Sequence, residues 1–232
     1  ADALCATCVA LFGIDGAAVS LIVDGSSSGT FGASSASSRR LDEYQFTYGE
    51  GPCLDAVSRR EAVLVPDLDA SAERRWPAFR SAALADGIRG VFAVPILVTS
   101  ECVGALDLFR HRPGPLHEDM LAGAWLAAEL ATAPLLDLIA GSEAVESGTE
   151  PAPLDDDVLT EIDRVEVYQA TGILISALDV GADEALLRLR AHAIATGQTA
   201  SEVARAITER RLMLERDDRV DPSDPDPHGG PR

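Results

Sequence analysis

Two cysteines near the start of the chain have a spacing that could do chemistry. Cys5 and Cys8 are separated by two residues, as in many redox-active and metal-binding pairs. A zinc site needs two more ligands, and the remaining cysteines, Cys53 and Cys102, are isolated in the sequence. Since the pair lies in an apolar helical pattern, we predict that both side chains pack in a core, with redox or metal chemistry as the alternative.

Cys53 stands at a predicted helix N-terminus, directly after Gly51-Pro52. The helix dipole at that position is expected to lower the pKa of the thiol. No histidine lies near it in the sequence to act as a base, so we do not expect a catalytic cysteine. The Gly49-x-Gly51 pattern lacks the third glycine and the Lys-Ser/Thr ending of phosphate-binding loops. It predicts a turn that fixes the start of this helix.

His111 and His117 flank a Pro-Gly-Pro loop. They could ligate a haem or a metal ion, although solvated loop histidines are the simpler interpretation. Histidine, cysteine and carboxylate residues do not cluster at ligand spacing anywhere in the sequence. We therefore expect no bound metal, no cofactor and no enzymatic turnover.

The C-terminal third contains arginines and uncharged polar residues on predicted helices. The arginines, which could contact nucleic acid or lie on solvated helix faces, are Arg188, Arg190, Arg205, Arg210 and Arg211. Glu184 precedes Arg188 by four residues, a spacing at which the two form an ion pair on a helix. Gln169 and Thr171 are polar positions in an otherwise apolar stretch, which indicates base recognition better than charge alone.

The charge of the whole chain opposes strong binding to nucleic acid or to anionic membranes. The 232 residues include 38 acidic residues against 19 arginines, with no lysine, and the net charge is −19. Such a surface repels phosphates, although a local arginine patch remains compatible with it. No apolar run reaches the ~18 residues of a membrane-spanning helix. With four cysteines and no dense spacing pattern, the protein is predicted to be cytoplasmic.

Two segments without apolar periodicity divide the chain. Residues 141–153 are rich in Gly, Ser, Glu and Pro and are predicted to be a linker. Residues 217–232 are rich in Pro and Asp and are predicted to be a disordered tail. They leave one block at 1–140 and a second block at 154–216.

The first block is predicted to be α+β, with an antiparallel sheet flanked by helices. Strands are predicted at 17–23, 30–33, 62–65, 91–98 and 102–109. The last two form the strongest hairpin signal, and the first two are joined by turn residues at 24–29. Helices are predicted at 1–12, 53–60, 76–85 and 116–139.

The second block is predicted to be a three-helix bundle, with helices at 158–178, 182–195 and 199–214. Gly197 ends the second helix, and Thr199-x-x-Glu202 is a capping box that begins the third. The start of the first helix carries an apolar face rotated from the face that packs in the bundle. Because this face needs a partner, we expect pairing with a second copy of the chain and a homodimer. Its residues are Val158, Leu159, Ile162 and Val165.

Two sets of motifs resemble known families and together span about 200 of the 232 residues. The first block resembles GAF sensor domains, in the stretches Tyr48–Ala56, Val65–Leu68, Arg75–Pro77, Val94–Ile96 and Gly104–Asp107. The second block resembles ANTAR domains, the three-helix RNA-binding modules of transcription antiterminators. This resemblance lies in Val167–Leu174, Ala185-Leu186, Leu189–Ala193 and Glu202–Ala204. The order of the two domains resembles that of actinobacterial one-chain regulators.

The resemblance implies a function in transcription antitermination. An ANTAR dimer holds paired hairpins of a nascent leader RNA and blocks a competing terminator hairpin, so the polymerase reads through. The GAF domain implies a small-molecule ligand that changes the exposure or the dimer geometry of the ANTAR domain. Loop bases are expected to be read by stacking and edge hydrogen bonds, with little binding to duplex DNA. The RNA-binding residues predicted on this basis are Gln169, Thr171, Arg188, Arg190, His192 and Arg205.

One position departs from the family, because many ANTAR domains carry lysine where this chain has Thr171. The second block also holds seven arginines against 12 acidic residues, a net charge of −5. Two other classes of function therefore stay open beside the RNA-binding regulator. One is a protein-interaction module whose helices only dimerise. The other is a cysteine-dependent enzyme, since some GAF-fold proteins reduce methionine sulfoxide.

Overall fold

The computed structural model describes residues 1–23, 26–99, 101–146 and 164–214, with side chains left undescribed at 23, 26–28 and 138–146. Within the described residues, five strands form one sheet. They are β1 (Gly16–Val23), β2 (Ser26–Ala33), β3 (Val63–Val65), β4 (Gly90–Val98) and β5 (Glu101–Arg110). The order across the sheet is β2-β1-β5-β4-β3, and every neighbouring pair is antiparallel.

Five helices cover the two faces of this sheet. They are α1 (Asp2–Phe12), α2 (Ala36–Tyr48), α3 (Pro52–Arg59), α4 (Pro77–Ala85) and α5 (Glu118–Glu146). Helices α1 and α5 pack on one face against Phe92, Val94 and Ile96 of β4. Helices α2, α3 and α4 pack on the other face, where Val91 and Ala93 point. Strand β4 is apolar without alternation because helices bury both of its faces.

Three further helices form the C-terminal bundle, namely α6 (Val165–Leu178), α7 (Ala182–Thr196) and α8 (Ala200–Thr208). Gly197 ends α7 with a φ of 68°, and Thr199 and Glu202 form the reciprocal capping box at the start of α8. The bundle core consists of small and aliphatic side chains from all three helices. It also contains Phe46 of α2, so the bundle and α2 share one apolar cluster.

The predicted fold class is confirmed, since an antiparallel sheet flanked by helices precedes an all-helical bundle. The prediction omitted one element, α2. It also placed Ser26–Gly29 in a turn, whereas Ser26 already pairs with Val23 and β2 begins there. Within the described part of the chain, no helix is both long and apolar enough to cross a membrane.

Two helix ends differ from the sequence prediction. Helix α5 continues to Glu146, so the first six residues of the predicted linker, 141–146, are helical. A single glycine costs a helix only about 1 kcal/mol relative to alanine, and this stretch holds no proline to stop it. Helix α8 ends at Thr208 and not near 214, because Arg210 adopts a φ of 58° and the chain turns back. Leu212 and Leu214 then pack against the bundle core.

The rest of the predicted linker and the tail lie outside the described residues, as do Val158, Leu159 and Ile162 of the predicted dimer face. The fourth residue of that face, Val165, is 48% exposed. An exposed aliphatic side chain at the first position of α6 is compatible with a partner there.

Candidate nucleic-acid interface

Arg164, the residue directly before α6, is a buried charged side chain at the contact between the bundle and the sheet domain. Its Nη2 donates a hydrogen bond to Asp42 Oδ2 of α2 at 3.0 Å, and its Nε lies 3.5 Å from Glu43 Oε2. The side chains of Arg164 and Asp42 are only 1% and 0% exposed. The pair therefore joins the two domains through an ion pair from which water is excluded.

Asp42 also anchors α2 to the sheet. Ser20 Oγ of β1 and Thr30 Oγ1 of β2 donate to its two carboxylate oxygens, each at 2.6 Å. A buried carboxylate is costly unless it is hydrogen-bonded and paired with a positive charge, and these two hydroxyls and Arg164 supply both. One aspartate therefore connects two strands of the sheet domain to the first residue of the bundle.

The ring of Phe46 lies against two guanidinium groups of the bundle. Arg164 Cζ is 3.9 Å from the ring centroid and Arg190 Cζ is 4.3 Å from it, distances typical of cation–π contacts. Burial, followed by the nearby positive charge of Arg164, lowers the pKa of Arg190. Among the described residues, the buried Nε of Arg190 has no hydrogen-bond acceptor.

The N-terminus of α8 also faces α2. The backbone N–H of Ala200 donates to Thr47 Oγ1 at 2.9 Å, and that of Ser201 donates to Glu43 Oε1 at 3.0 Å. A carboxylate therefore occupies the positive end of a helix dipole and also approaches Arg164. Burial raises the pKa of Glu43, while the Arg164 charge and the Ser201 hydrogen bonds act in the opposite direction.

A groove of about 710 Å³ runs beside this contact, between α2 and the bundle. It is lined on the α2 side by Arg39, Arg40, Tyr44 and Tyr48, and on the bundle side by Arg205 and Gln198 among others. The rings of Tyr44 and Tyr48 stack with a centroid distance of 6.1 Å. Acidic side chains line the same groove, so its charge is mixed.

The six residues predicted to bind RNA are distributed over more than one surface. Arg190 lies on Phe46, and Arg205 lines the groove beside α2, 3.5 Å from Glu166. Gln169 is exposed and lines a different groove, between α6 and the chain after α8.

The other three predicted residues have local environments of their own. Arg188 pairs with Glu184 at 2.6 Å, as their spacing indicated. Thr171 Oγ1 donates to the Val167 carbonyl at 2.7 Å, and His192 is half-buried.

Sequence reasoning missed Arg164 and its partners on α2. Arg164 and Asp42 are 122 residues apart, and no local pattern connects them. Helix α2 itself left a weak signal, since Ser35 caps it and Leu41, Tyr44 and Tyr48 recur at helical spacing.

A buried polar cluster lies inside the sheet domain behind α2. Gln45 Nε2 donates to Asp107 Oδ2 at 2.9 Å, and its Oε1 accepts from the backbone N–H of Cys53 at 2.7 Å. Burial, followed by the charge of Asp42, raises the pKa of Asp107 to about 7. Gly51 permits this arrangement, because a Cβ there would lie 2.5 Å from Gln45 Oε1. The glycine pair is thus a turn at the start of α3.

The expectation of a lowered Cys53 pKa is wrong. Complete burial and the charges of Asp107 and Asp42 raise the pKa of this thiol, and they outweigh the helix N-terminus. Burial also raises the pKa of Cys5 to about 12 and raises that of Cys8. Within the described residues, no group of three or more metal-ligating side chains is present.

An antiparallel sheet flanked by helices, with a three-helix bundle docked on one of those helices, defines a two-domain protein. The family model of the GAF domain matches residues 1–133, and that of the ANTAR domain matches residues 162–207. The chain belongs to the GAF domain family, and its GAF domain is followed by an ANTAR domain. This combination is that of a signal-responsive, ANTAR-type RNA-binding regulator.

Solved structures resemble part of this chain at low identity. A type II free methionine-R-sulfoxide reductase from Thermoplasma acidophilum is 16% identical, with a TM-score of 0.43. The match covers 58% of this chain and 87% of the reductase chain. A GAF domain/HD domain protein from Geobacter sulfurreducens is 18% identical, with a TM-score of 0.47, covering 59% and 89%. The GAF domain of an Acinetobacter phosphoenolpyruvate-protein phosphotransferase is 13% identical, with a TM-score of 0.45, covering 63% and 82%. None of the curated proteins matches the chain.

Proposed function

We propose that this protein is a cytoplasmic, dimeric antitermination regulator that binds paired hairpins in nascent leader RNA. In this proposal the ANTAR bundle holds the hairpins and prevents the competing terminator hairpin from forming. The GAF domain binds a small molecule and controls the bundle. The polymerase reads through the leader only when the bundle is able to hold the RNA.

The observation that carries the proposal is the direct contact between the two domains. Helix α2 of the GAF domain packs on α7 and α8 of the ANTAR bundle through Phe46, Thr47 and Glu43. A change in the sensor that moves α2 therefore changes the surroundings of the bundle arginines. This contact supports a model in which the sensor controls RNA binding. It argues against a model in which the two domains act independently.

The charge of the chain sets the expected affinity. The region from 154 to 216 carries seven arginines and 12 acidic residues, and several of the arginines are already paired, such as Arg188 and Arg205. Few phosphate contacts remain available, so affinity should be modest and its salt dependence shallow. Recognition then rests mainly on stacking and on hydrogen bonds to unpaired loop bases.

The environment of the cysteines favours a binding function over a cysteine-dependent enzyme. The thiolate is the reactive form, and burial raises the pKa of the Cys5, Cys8 and Cys53 thiols. These side chains pack within the core of the GAF domain. We accordingly propose that the GAF domain senses a ligand without turning it over.

The experiment that tests the proposal is a selection with the full-length chain. A pool of short RNAs carrying two adjacent hairpins with randomised loops is incubated with the protein at low salt, and bound RNA is isolated by gel shift and sequenced. We expect a shift at micromolar protein, enrichment of related sequences in both loops, and no shift of duplex DNA of the same length. Absence of any RNA shift at tens of micromolar protein would instead favour the protein-interaction module.

A further inference from the structure

We propose that helix α2 of the sensor imitates RNA and covers the RNA-contact face of the bundle. In this view Asp42 and Glu43 take the places of phosphates, and Phe46 takes the place of a base. The face that they cover consists of Arg164, Arg190 and the N-terminus of α8. The inference rests on the proposed RNA binding and assigns to it a site and a means of inhibition.

The carboxylates meet the bundle where a phosphate would be bound. Asp42 accepts from Arg164 Nη2 at 3.0 Å, and Glu43 accepts from the Ser201 backbone N–H at 3.0 Å. Glu43 also lies 3.5 Å from Arg164 Nε. A guanidinium next to the free N–H groups of a helix start is a recurrent arrangement for phosphate binding. The donors here belong to the bundle, and both anions belong to the sensor.

Phe46 meets the bundle in the way a loop base would. Its ring lies 3.9 Å and 4.3 Å from the guanidinium carbons of Arg164 and Arg190. Proteins that bind unpaired RNA stack bases on arginine planes in the same manner, because a nucleobase and a phenyl ring both present a π-face. A carboxylate pair followed by an aromatic ring on one helix thus reproduces the charge and the stacking surface of a nucleotide.

The contact is built on buried charges, whereas a permanent domain interface gains more stability from apolar packing. A buried ion pair adds little net stability compared with apolar side chains of similar volume. Arg190 is desolvated on Phe46 while its Nε lacks an acceptor among the described residues. An RNA phosphate or base edge offers that acceptor. The hydrogen-bonding capacity of Arg190 is therefore met more fully by RNA than by α2.

Docking of α2 and binding of RNA are then mutually exclusive. The apparent dissociation constant equals the intrinsic one divided by the fraction of molecules in which the face is open. If α2 is docked in about 90% of molecules, loosening it tightens RNA binding about tenfold. A sensor ligand that shifts α2 would act through the same equilibrium.

The test uses full-length variants that weaken the imitation while preserving the fold. Glu43→Gln keeps an acceptor for the Ser201 N–H but removes the charge, and Phe46→Leu keeps apolar volume but removes the π-face. Glu61→Gln is the matched control, because it changes the net charge equally at an exposed sensor position. Binding is measured by fluorescence anisotropy with the paired-hairpin RNA selected by the wild-type chain, or with the unselected pool if none is enriched. Circular dichroism verifies that each variant is folded.

We expect the double variant Glu43→Gln/Phe46→Leu to bind about tenfold more tightly than the wild type, and Glu61→Gln to bind within about twofold of it. Adding Arg164→Gln to the double variant should remove the gain, because the uncovered face is the one that contacts RNA.

Two other outcomes overturn the inference and are distinguishable. If folded wild type and variants bind RNA equally, α2 does not cover the site, although the proposed function stands. If neither the wild type nor the double variant binds RNA, both the inference and the proposed function fail.

Discussion

The guanidinium of Arg164 and the carboxylate of Asp42 form a buried ion pair across the contact between the ANTAR bundle and the GAF domain, with Nη2 and Oδ2 3.0 Å apart. Neither side chain has appreciable contact with solvent. Because Asp42 is also held by Ser20 and Thr30, the bundle is attached to the sheet and not only to the surface of α2. Input and output domains of this regulator therefore share a polar core.

Loss of the Asp42 carboxylate should strongly destabilise the protein. Asp42→Ala leaves the Arg164 charge buried without its main partner, and such a change typically costs about 3–5 kcal/mol. Urea unfolding of the wild type and the variant, followed by circular dichroism, measures the free energy of unfolding. Asp55→Ala is the control, because Asp55 pairs with Arg59 in an exposed i,i+4 ion pair worth less than about 1 kcal/mol. Equal losses in the two variants would contradict the account of the buried pair.

The raised pKa of Asp107 should make stability depend on pH. Its pKa is about 7 in the folded protein against a usual value of 3.8, so the folded state binds this proton more tightly than the unfolded state. The stabilising contribution is complete below about pH 4 and is lost as the pH rises through about 7. Urea unfolding of the wild type at several pH values between 5 and 8 should therefore show this loss of stability.

Asp107→Asn isolates this effect, because asparagine cannot ionise and still accepts from Gln45 Nε2. The variant should lose less stability than the wild type over the same pH range. Parallel pH profiles for the two proteins would show that Asp107 titrates normally.

We propose that the protein is a homodimer in which α5 contributes to the contact. Leu126 and Leu130 on this helix are 57% and 61% exposed, and they form part of an apolar surface beside Trp125. Light scattering at micromolar concentration should give about twice the chain mass of 24.4 kDa. Leu126→Asp/Leu130→Asp should shift the protein toward monomer, since a charge buried in a helix pair is costly. Leu187→Asp, at a 65% exposed position on the bundle, is the control, and a monomeric wild type would refute the proposal.

Thr171→Lys should tighten RNA binding without changing the fold. Lysine is the residue that many ANTAR domains carry at this position, and Thr171 is only half-buried on α6. Ser176→Lys, at an exposed position on the same helix, adds the same charge elsewhere. Thr171→Lys should add one phosphate contact, which makes the slope of log K against log salt concentration steeper by about 1. Ser176→Lys should leave this slope unchanged. If both variants tighten binding equally, the effect is one of net charge and not of position.

The sequence predicted elements whose signals are local. The β4–β5 hairpin follows from two apolar runs around a short turn, and the capping box of α8 follows from Thr199 and Glu202. Helix α2 escaped prediction because its buried face is largely polar, so apolar periodicity is weak there. The polar residues buried along this helix are Ser38, Asp42, Gln45 and Thr47.

The candidate site was predictable only in part, for the same physical reason. Arg190 was predicted from the resemblance of its motif to ANTAR domains, and the ring that it contacts belongs to another domain. The Arg164–Asp42 pair depends on how two domains dock, and 122 residues separate its members. Local spacing identifies which helices exist, whereas the interface depends on long-range packing.

Crosslinking of the full-length chain to RNA tests the central claim most directly. Paired-hairpin RNA containing 4-thiouridine in its loops is bound to the protein and irradiated, and the crosslinked peptides are identified by mass spectrometry. We predict crosslinks within residues 164–214, concentrated around Arg164, Arg190 and the start of α8, and stronger in the Glu43→Gln/Phe46→Leu variant. Crosslinks confined to residues 1–146, or their absence under conditions where the RNA shifts in a gel, would contradict the assignment of RNA binding to this face of the ANTAR bundle.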